Sequence, residues 1–151
     1  MDNEVQKYCL GFVFSKDMSK VILIKKNRPH NLEGMFNGVG GKVEPGENHF
    51  QAMKRESIEE IGYHSDDWSA FACLTSQWYK IYCFYTVEKT IPIDECYCSL
   101  TDELASVQDV NTLLAHDSDE ELVEHVRWLV RMAISIRNYQ VDTTYYEVSI
   151  P

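Results

Sequence analysis

Between Gly41 and Tyr63 the chain reads GKVEPGENHFQAMKRESIEEIGY, which sets Glu47, Arg55, Glu56, Glu59 and Glu60 at fixed distances between two glycines. Glu56, Glu59 and Glu60 follow i, i+3, i+4 spacing, so a helix would carry all three carboxylates on one face. Three such groups repel one another unless a cation sits among them. Hard oxygen donors suit Mg²⁺, with Mn²⁺ as the second choice. The spacing predicts a metal site.

The flanking sequence predicts the elements that position these residues. Gln6–Ser15 and Lys20–Lys26 read as strands joined by a KDMS turn. Residues 27–35 contain Pro29, Asn31 and Gly34 and read as a loop. Phe36–Glu44 carries too many glycines for a helix and reads as a strand that opens into a Pro45-Gly46 turn. A helix is expected from about Asn48, a suitable N-cap, to Ile61, with Gly62 as its stop. Phe50, Met53, Ser57 and Ile61 would form its buried side. Two strands are expected within Trp68–Val87, with a break at Thr75–Ser76, and Ser106–Leu114 could form another short element. Ser118 and Glu121 make a capping box that opens an amphipathic helix to about Arg137. Its apolar stripe is Leu122, Val126, Leu129, Val130, Ala133 and Ile134. Thr144–Ile150 reads as a terminal strand. This order of elements predicts an α/β (α+β) fold, a mixed sheet sandwiched between α-helices.

At 151 residues the chain reads as one domain, residues 1–151, with no linker or repeat. Fourteen basic residues stand against 24 acidic ones, a formal charge of −10. That excess argues against binding polymeric nucleic acid or an anionic membrane, which needs basic charge. It leaves room for a small phosphorylated substrate whose charge a divalent ion offsets. The five scattered cysteines read chiefly as buried reduced thiols, and Cys96-Tyr97-Cys98 lacks the second pair that zinc would need. MDNEVQK is too polar for a signal peptide, and no apolar run approaches membrane-spanning length, so a cytoplasmic location is expected. The five histidines show no metal spacing and read as surface residues.

Written as a pattern, residues 41–63 follow G-x5-E-x7-R-E-U-x-E-E-x-G-U, where U is bulky and apolar. All seven fixed positions are filled, and a chance match at a given start is on the order of one in 10⁸. The segment resembles the Nudix box, and the chain is similar to Nudix hydrolases of the MutT-like type. Ser57 and Tyr63 depart from the aliphatic residues usual at two U positions. Both are packing positions, so the departures bear on local packing rather than on the carboxylates.

The resemblance implies a Nudix fold in which Glu56, Glu59 and Glu60 present a divalent metal, usually Mg²⁺. It implies that Arg55 holds a neighbouring carboxylate, Glu47 or Glu56, and that the Gly40 carbonyl joins the metal. Lys42 would face the phosphates. The implied reaction is hydrolysis of a nucleoside diphosphate linked to another moiety, by water attack at phosphorus. A nucleoside triphosphate, standard or oxidised, would give a monophosphate and pyrophosphate. ADP-ribose, dinucleoside polyphosphates and a non-catalytic nucleotide-binding role are the alternatives. A further carboxylate is expected outside the box as ligand or general base. Glu103 is the first choice, with Glu95 and the Asp117–Glu121 cluster as rivals. Asn37 matches a position that contacts the base in members clearing oxidised purine nucleotides, and Arg28 could reach a phosphate. Trp78, Tyr79, Tyr82 and Tyr85 could stack on a base but fit core or sheet surface better. The expected partner is a small nucleotide, and the protein would be a monomer or homodimer.

Overall fold

In the computed structural model, which describes residues 4–115, 121–139 and 146–151, the central strand is β1, Gln6–Phe14. Its residues from Cys9 onward are buried, because both faces of the strand are covered. Leu10, Phe12 and Phe14 enter one core, while Cys9 and Val13 enter the other. That alternation is the period-2 geometry of a strand with helices on both sides.

β1 runs parallel to β6 (Tyr79–Val87) along its whole length, with Leu10 opposite Cys83. On its other side it pairs antiparallel with β4 (Val39–Lys42) and then with β2 (Lys20–Lys25). β2 pairs with the short β3 (Phe36–Asn37) and with β7 (Leu104–Asp109). β5 (Ser69–Thr75) joins β6 to the parallel β8 (Tyr146–Ser149). The eight strands form one mixed sheet. Helix α1 (His49–Ile61) contributes Ala52, Met53 and Ile61 to the core containing Cys9 and Val13. The opposite core is closed by α2 (Val110–Ala115) and α3 (Val126–Tyr139). The sheet therefore lies between helices, as expected.

Local chemistry sets the ends of α1. The Asn48 side chain accepts from the Gln51 N–H at 2.8 Å, and the Asn48 N–H donates to Gln51 Oε1 at 2.9 Å. These reciprocal bonds satisfy two otherwise orphaned donors. Gly62 adopts a left-handed φ of 65° and returns its N–H to Ile58 at 3.0 Å, ending the helix.

Several boundaries differ from expectation. The strand predicted over Phe36–Glu44 is two strands, because β3 pairs with β2 while β4 pairs with β1. The element predicted over Ser106–Leu114 is the end of β7 followed by α2. Ser118 lies outside the described residues, and α3 begins at Val126. Ahead of it, Phe36 donates to the Glu121 carbonyl and accepts from the Val123 N–H, with Leu122 bridged to Phe36. Leu122 and Val123 are thus buried by pairing rather than by a helical face. Of the expected terminal strand, residues 144 and 145 lie outside the described residues. Cys9, Cys73 and Cys83 are buried free thiols, whereas Cys96 is half-buried and Cys98 exposed. Burial pushes the Cys9 thiol up to about 12 and raises that of Cys83, which makes both unreactive. The histidines are not uniformly on the surface. His49 stacks on Tyr82 with ring centroids 4.2 Å apart, and His125 is half-buried. Burial lowers the pKa of both.

Candidate active site

The helix that buries Ala52, Met53 and Ser57 turns Arg55, Glu56 and Glu60 toward β4 and leaves Glu59 exposed. Arg55 is the hub. Its Nε and Nη2 fork onto Glu47 at 3.1 and 2.7 Å. Its Nη1 donates to Glu56 Oε1 at 2.9 Å and to Glu59 Oε2 at 3.2 Å. Nη2 also donates to the Lys42 carbonyl at 2.9 Å. The guanidinium therefore holds both of the carboxylates named as its possible partners, and two more acceptors besides. Its planar array of donors explains why a lysine could not do the same.

These contacts divide the carboxylates. Arg55 hydrogen bonding holds Glu47 below the usual carboxylate range, helped by the Glu44 N–H. Glu56 goes the other way: burial raises its pKa against the pull of Arg55, and the charges of Glu59 and Glu44 add to the rise. Burial pushes Glu60 up to about 7, opposed by a 3.1 Å hydrogen bond from the Gly40 N–H and reinforced by the charges of Glu56 and Glu103. Burial and neighbouring carboxylates thus hold both groups above the usual range, against the pull of Arg55 on Glu56 and of Lys26 on Glu60.

The glycines let the backbone approach this closely. A Cβ on Gly40 would lie 2.0 Å from the Cys9 carbonyl oxygen, and one on Gly41 would lie 2.4 Å from Glu56 Oε1. At Gly40 only hydrogen fits against the backbone, whereas at Gly41 a Cβ would have to displace the Glu56 carboxylate.

A family model for the NUDIX domain matches residues 8–146. The chain belongs to the Nudix family. It is accordingly a hydrolase of phosphoanhydride bonds. Many solved structures share its fold, among them three at 12–23% identity. One is a MutT from a study of the fish pathogen Aliivibrio salmonicida and of Vibrio cholerae, at 23% identity and a TM-score of 0.66, covering 85% of this chain and 98% of that one. Another is the mutator MutT protein of Bacillus halodurans, at 17% identity and a TM-score of 0.64, covering 86% and 82%. A Nudix hydrolase of Nitrosomonas europaea aligns at 12% identity with a TM-score of 0.70, covering 99% and 82%. No curated protein matches the chain by sequence.

Outside the Nudix box, Glu103 is 5% exposed, and both of its oxygens are engaged. Lys26 Nζ donates to Oε2 at 2.8 Å and the Asn27 N–H donates to Oε1 at 3.1 Å. Its rival Glu95 is exposed on a 3-10 turn, Ile93–Glu95. Residues 117–120 of the other rival cluster lie outside the described residues. Asn37 accepts from the Gly38 N–H at 2.9 Å through its own Oδ1, which leaves its Nδ2 donor without a partner among the described residues. Lys42 is exposed, next to the Arg55 hub. Arg28 pairs with Asp102 at 3.0 Å, in a bridge where both side chains are well exposed. Trp78 is 69% exposed, whereas Tyr79, Tyr82 and Tyr85 are half-buried in the sheet.

Lys26 escaped the sequence reading. Nothing in the local sequence marks it, since its partner lies 77 residues away. The β2–β7 pairing that brings them together is visible only in three dimensions.

The residues fit a hard divalent cation. Among the described residues no group of three His, Cys, Asp or Glu side chains is already drawn into a metal-holding cluster, and Arg55 stands between Glu56 and Glu59. Yet the donors are all oxygens, and the two partly buried ones have pKa values raised chiefly by burial and further by the charges of neighbouring carboxylates. A cation relieves that repulsion, and hard oxygen donors favour Mg²⁺ or Mn²⁺. No described helix is long and apolar enough to cross a membrane.

Proposed function

We propose that this Nudix hydrolase is Mg²⁺-dependent and converts a nucleoside triphosphate, standard or oxidised, into the monophosphate and pyrophosphate. One water is consumed, and one P–O bond breaks between the first and second phosphates. The observation that carries the reading is the pair Glu56 and Glu60, half-buried beside Gly40 and Gly41 with their pKa values raised. Glu56, Glu59, Glu60 and the Gly40 carbonyl would hold the ion, with Glu103 as a further ligand or base. When bound, such an ion would neutralise the diphosphate and lower the pKa of water.

The chain's own residues do the rest. Arg55 fixes the Glu47, Glu56 and Glu59 carboxylates in place. Glu103, whose charge acts on Glu60, would accept the proton of the attacking water. Lys42 lies exposed on β4, where it can meet a phosphate. Arg28 can do so only by leaving Asp102. Asn37 retains an amide donor suited to a base carbonyl. The MutT structures among those that share its fold support a small nucleotide as substrate. The match over residues 8–146 supports one domain, and the charge of −10 supports a protein that binds neither polymeric nucleic acid nor an anionic membrane.

A panel of nucleoside triphosphates, oxidised purine triphosphates, ADP-ribose and dinucleoside polyphosphates, assayed with product identification, tests the reading. The highest kcat/KM is expected for a triphosphate, with pyrophosphate as product. Preference for ADP-ribose or a dinucleoside polyphosphate would replace the substrate assignment. Tight binding without hydrolysis would make the protein a nucleotide-binding module instead.

A further inference from the structure

We propose that Lys26 is a positioning residue for the Nudix reaction, fixing the Glu103 carboxylate beside the acidic face of α1. The inference deepens the function proposed above and rests on Glu103 serving that reaction.

β2 and β7 are antiparallel, and their last pair is Lys25 opposite Leu104. Lys26 and Glu103 are therefore the next residues along, just beyond the end of the ladder, where their backbones are no longer paired with each other. Their side chains meet instead, at 2.8 Å. Glu103 is almost fully buried, and its second oxygen takes the Asn27 N–H at 3.1 Å. A buried carboxylate held by one ammonium and one N–H has little rotational freedom left, and losing the ammonium leaves its buried charge uncompensated.

The segment that carries Glu103 is anchored on its other side by the catalytic helix. The Leu100 N–H donates to the Glu60 carbonyl at 2.9 Å, and the Cys98 N–H donates to the Ile61 carbonyl at 3.0 Å. One end of residues 98–103 is thus tied to the residue that supplies a metal-face carboxylate, and the other end to β2 through Lys26. Asn27 Nδ2 and Arg28 also reach Asp102, each at 3.0 Å. Those two contacts are exposed and count for little. Among the described residues, Lys26 is the cation paired with Glu103 at the buried end.

Two other roles for Lys26 predict different kinetics. A lysine that contacts substrate phosphate would act on KM, independently of Glu103. One that merely neutralises a buried carboxylate would affect melting but not turnover. A positioning role acts on kcat through Glu103.

The test compares wild type with Lys26→Met, Lys26→Arg, Glu103→Gln and the Lys26→Met/Glu103→Gln double variant. Lys26→Met should lower kcat roughly tenfold or more while KM stays within about threefold. Lys26→Arg should recover most of the loss, since the contact needs one charged N–H donor. The double variant should be no slower than Glu103→Gln alone, within about threefold. Amide exchange at Asn27, read without metal or substrate, should speed up about tenfold or more in Lys26→Met and not in Lys26→Arg. A rise in KM with kcat retained, losses that multiply in the double variant, or unchanged Asn27 exchange would each overturn the proposal. If the wild type hydrolyses no nucleotide, the functional reading fails, while Asn27 exchange still decides whether Lys26 fixes Glu103.

Discussion

Gly41 and Glu56 stand so close that a Cβ on the glycine would lie 2.4 Å from Oε1 of the glutamate. The obstacle is the far end of a flexible side chain, so Gly41→Ala should fold and push the Glu56 carboxylate aside. Turnover should fall on the order of tenfold or more while the melting temperature changes little. Gly40→Ala should behave differently, because its Cβ would meet the Cys9 backbone carbonyl at 2.0 Å. That clash cannot relax without moving β1 and should cost at least about 2 kcal/mol of stability. Paired melts and rate measurements on the two variants separate these outcomes.

Arg55 joins Glu47, Glu56, Glu59 and the Lys42 carbonyl, so its loss should be felt in the fold as well as in the chemistry. Because the hub is partly solvated, Arg55→Ala should cost about 1–3 kcal/mol by urea unfolding. Arg55→Lys should recover only part of it, since an ammonium cannot reproduce the fork. Full recovery by lysine would show that charge alone matters.

Glu60 makes the metal-free protein sensitive to pH. Its carboxyl lies at about 7 in the fold against an ordinary value of 4.5. Below about 4.5 it is protonated in both folded and unfolded chains. As pH rises from there, the unfolded chain ionises first, and this share of stability is lost progressively until the folded group ionises near 7. Glu47, whose pKa is lowered, carries the opposite sign, and its contribution is lost only as pH falls below the ordinary range. In the presence of chelator, the melting temperature of wild type minus that of Glu60→Gln should therefore decline between about pH 4.5 and 8. A flat difference would show that burial does not hold Glu60 up.

The two departures from the Nudix pattern turn out to compensate each other. Ser57 is buried and donates its hydroxyl to the Tyr63 carbonyl at 2.7 Å. Tyr63 packs edge-on against Trp68 and places its own hydroxyl 3.3 Å from Glu88. Ser57→Ala would leave that carbonyl without its side-chain donor, costing about 1–2 kcal/mol in thermal or urea unfolding with turnover unchanged. An unaltered or raised stability would show that the hydroxyl contributes nothing.

What the sequence discloses here depends on how far apart the partners lie. Residues 41–63 are legible because Glu56, Glu59 and Glu60 share a helical face and Gly62 ends that helix, all within two turns of backbone. The α1 caps are legible for the same reason, though the return bond from Gln51 to Asn48 is not obvious in advance. The strand predicted over Phe36–Glu44 breaks in two because β2 and β1 claim its halves, which no local pattern records. Leu122 fits a helical stripe in sequence yet is bridged to Phe36, a partner 86 residues away in the chain. Lys26 belongs to the same class, as its chemistry depends on strand pairing across most of the chain.

The α1 carboxylates should support cleavage of a nucleoside triphosphate in the presence of a divalent ion. Pyrophosphate release from the preferred triphosphate, measured for wild type, Glu59→Gln and Glu60→Gln with Mg²⁺ or with chelator, tests it most directly. Wild type should release pyrophosphate only with Mg²⁺, and each variant should be slower by at least about 10²-fold. Release by wild type in chelator, or undiminished rates in both variants, would contradict the account.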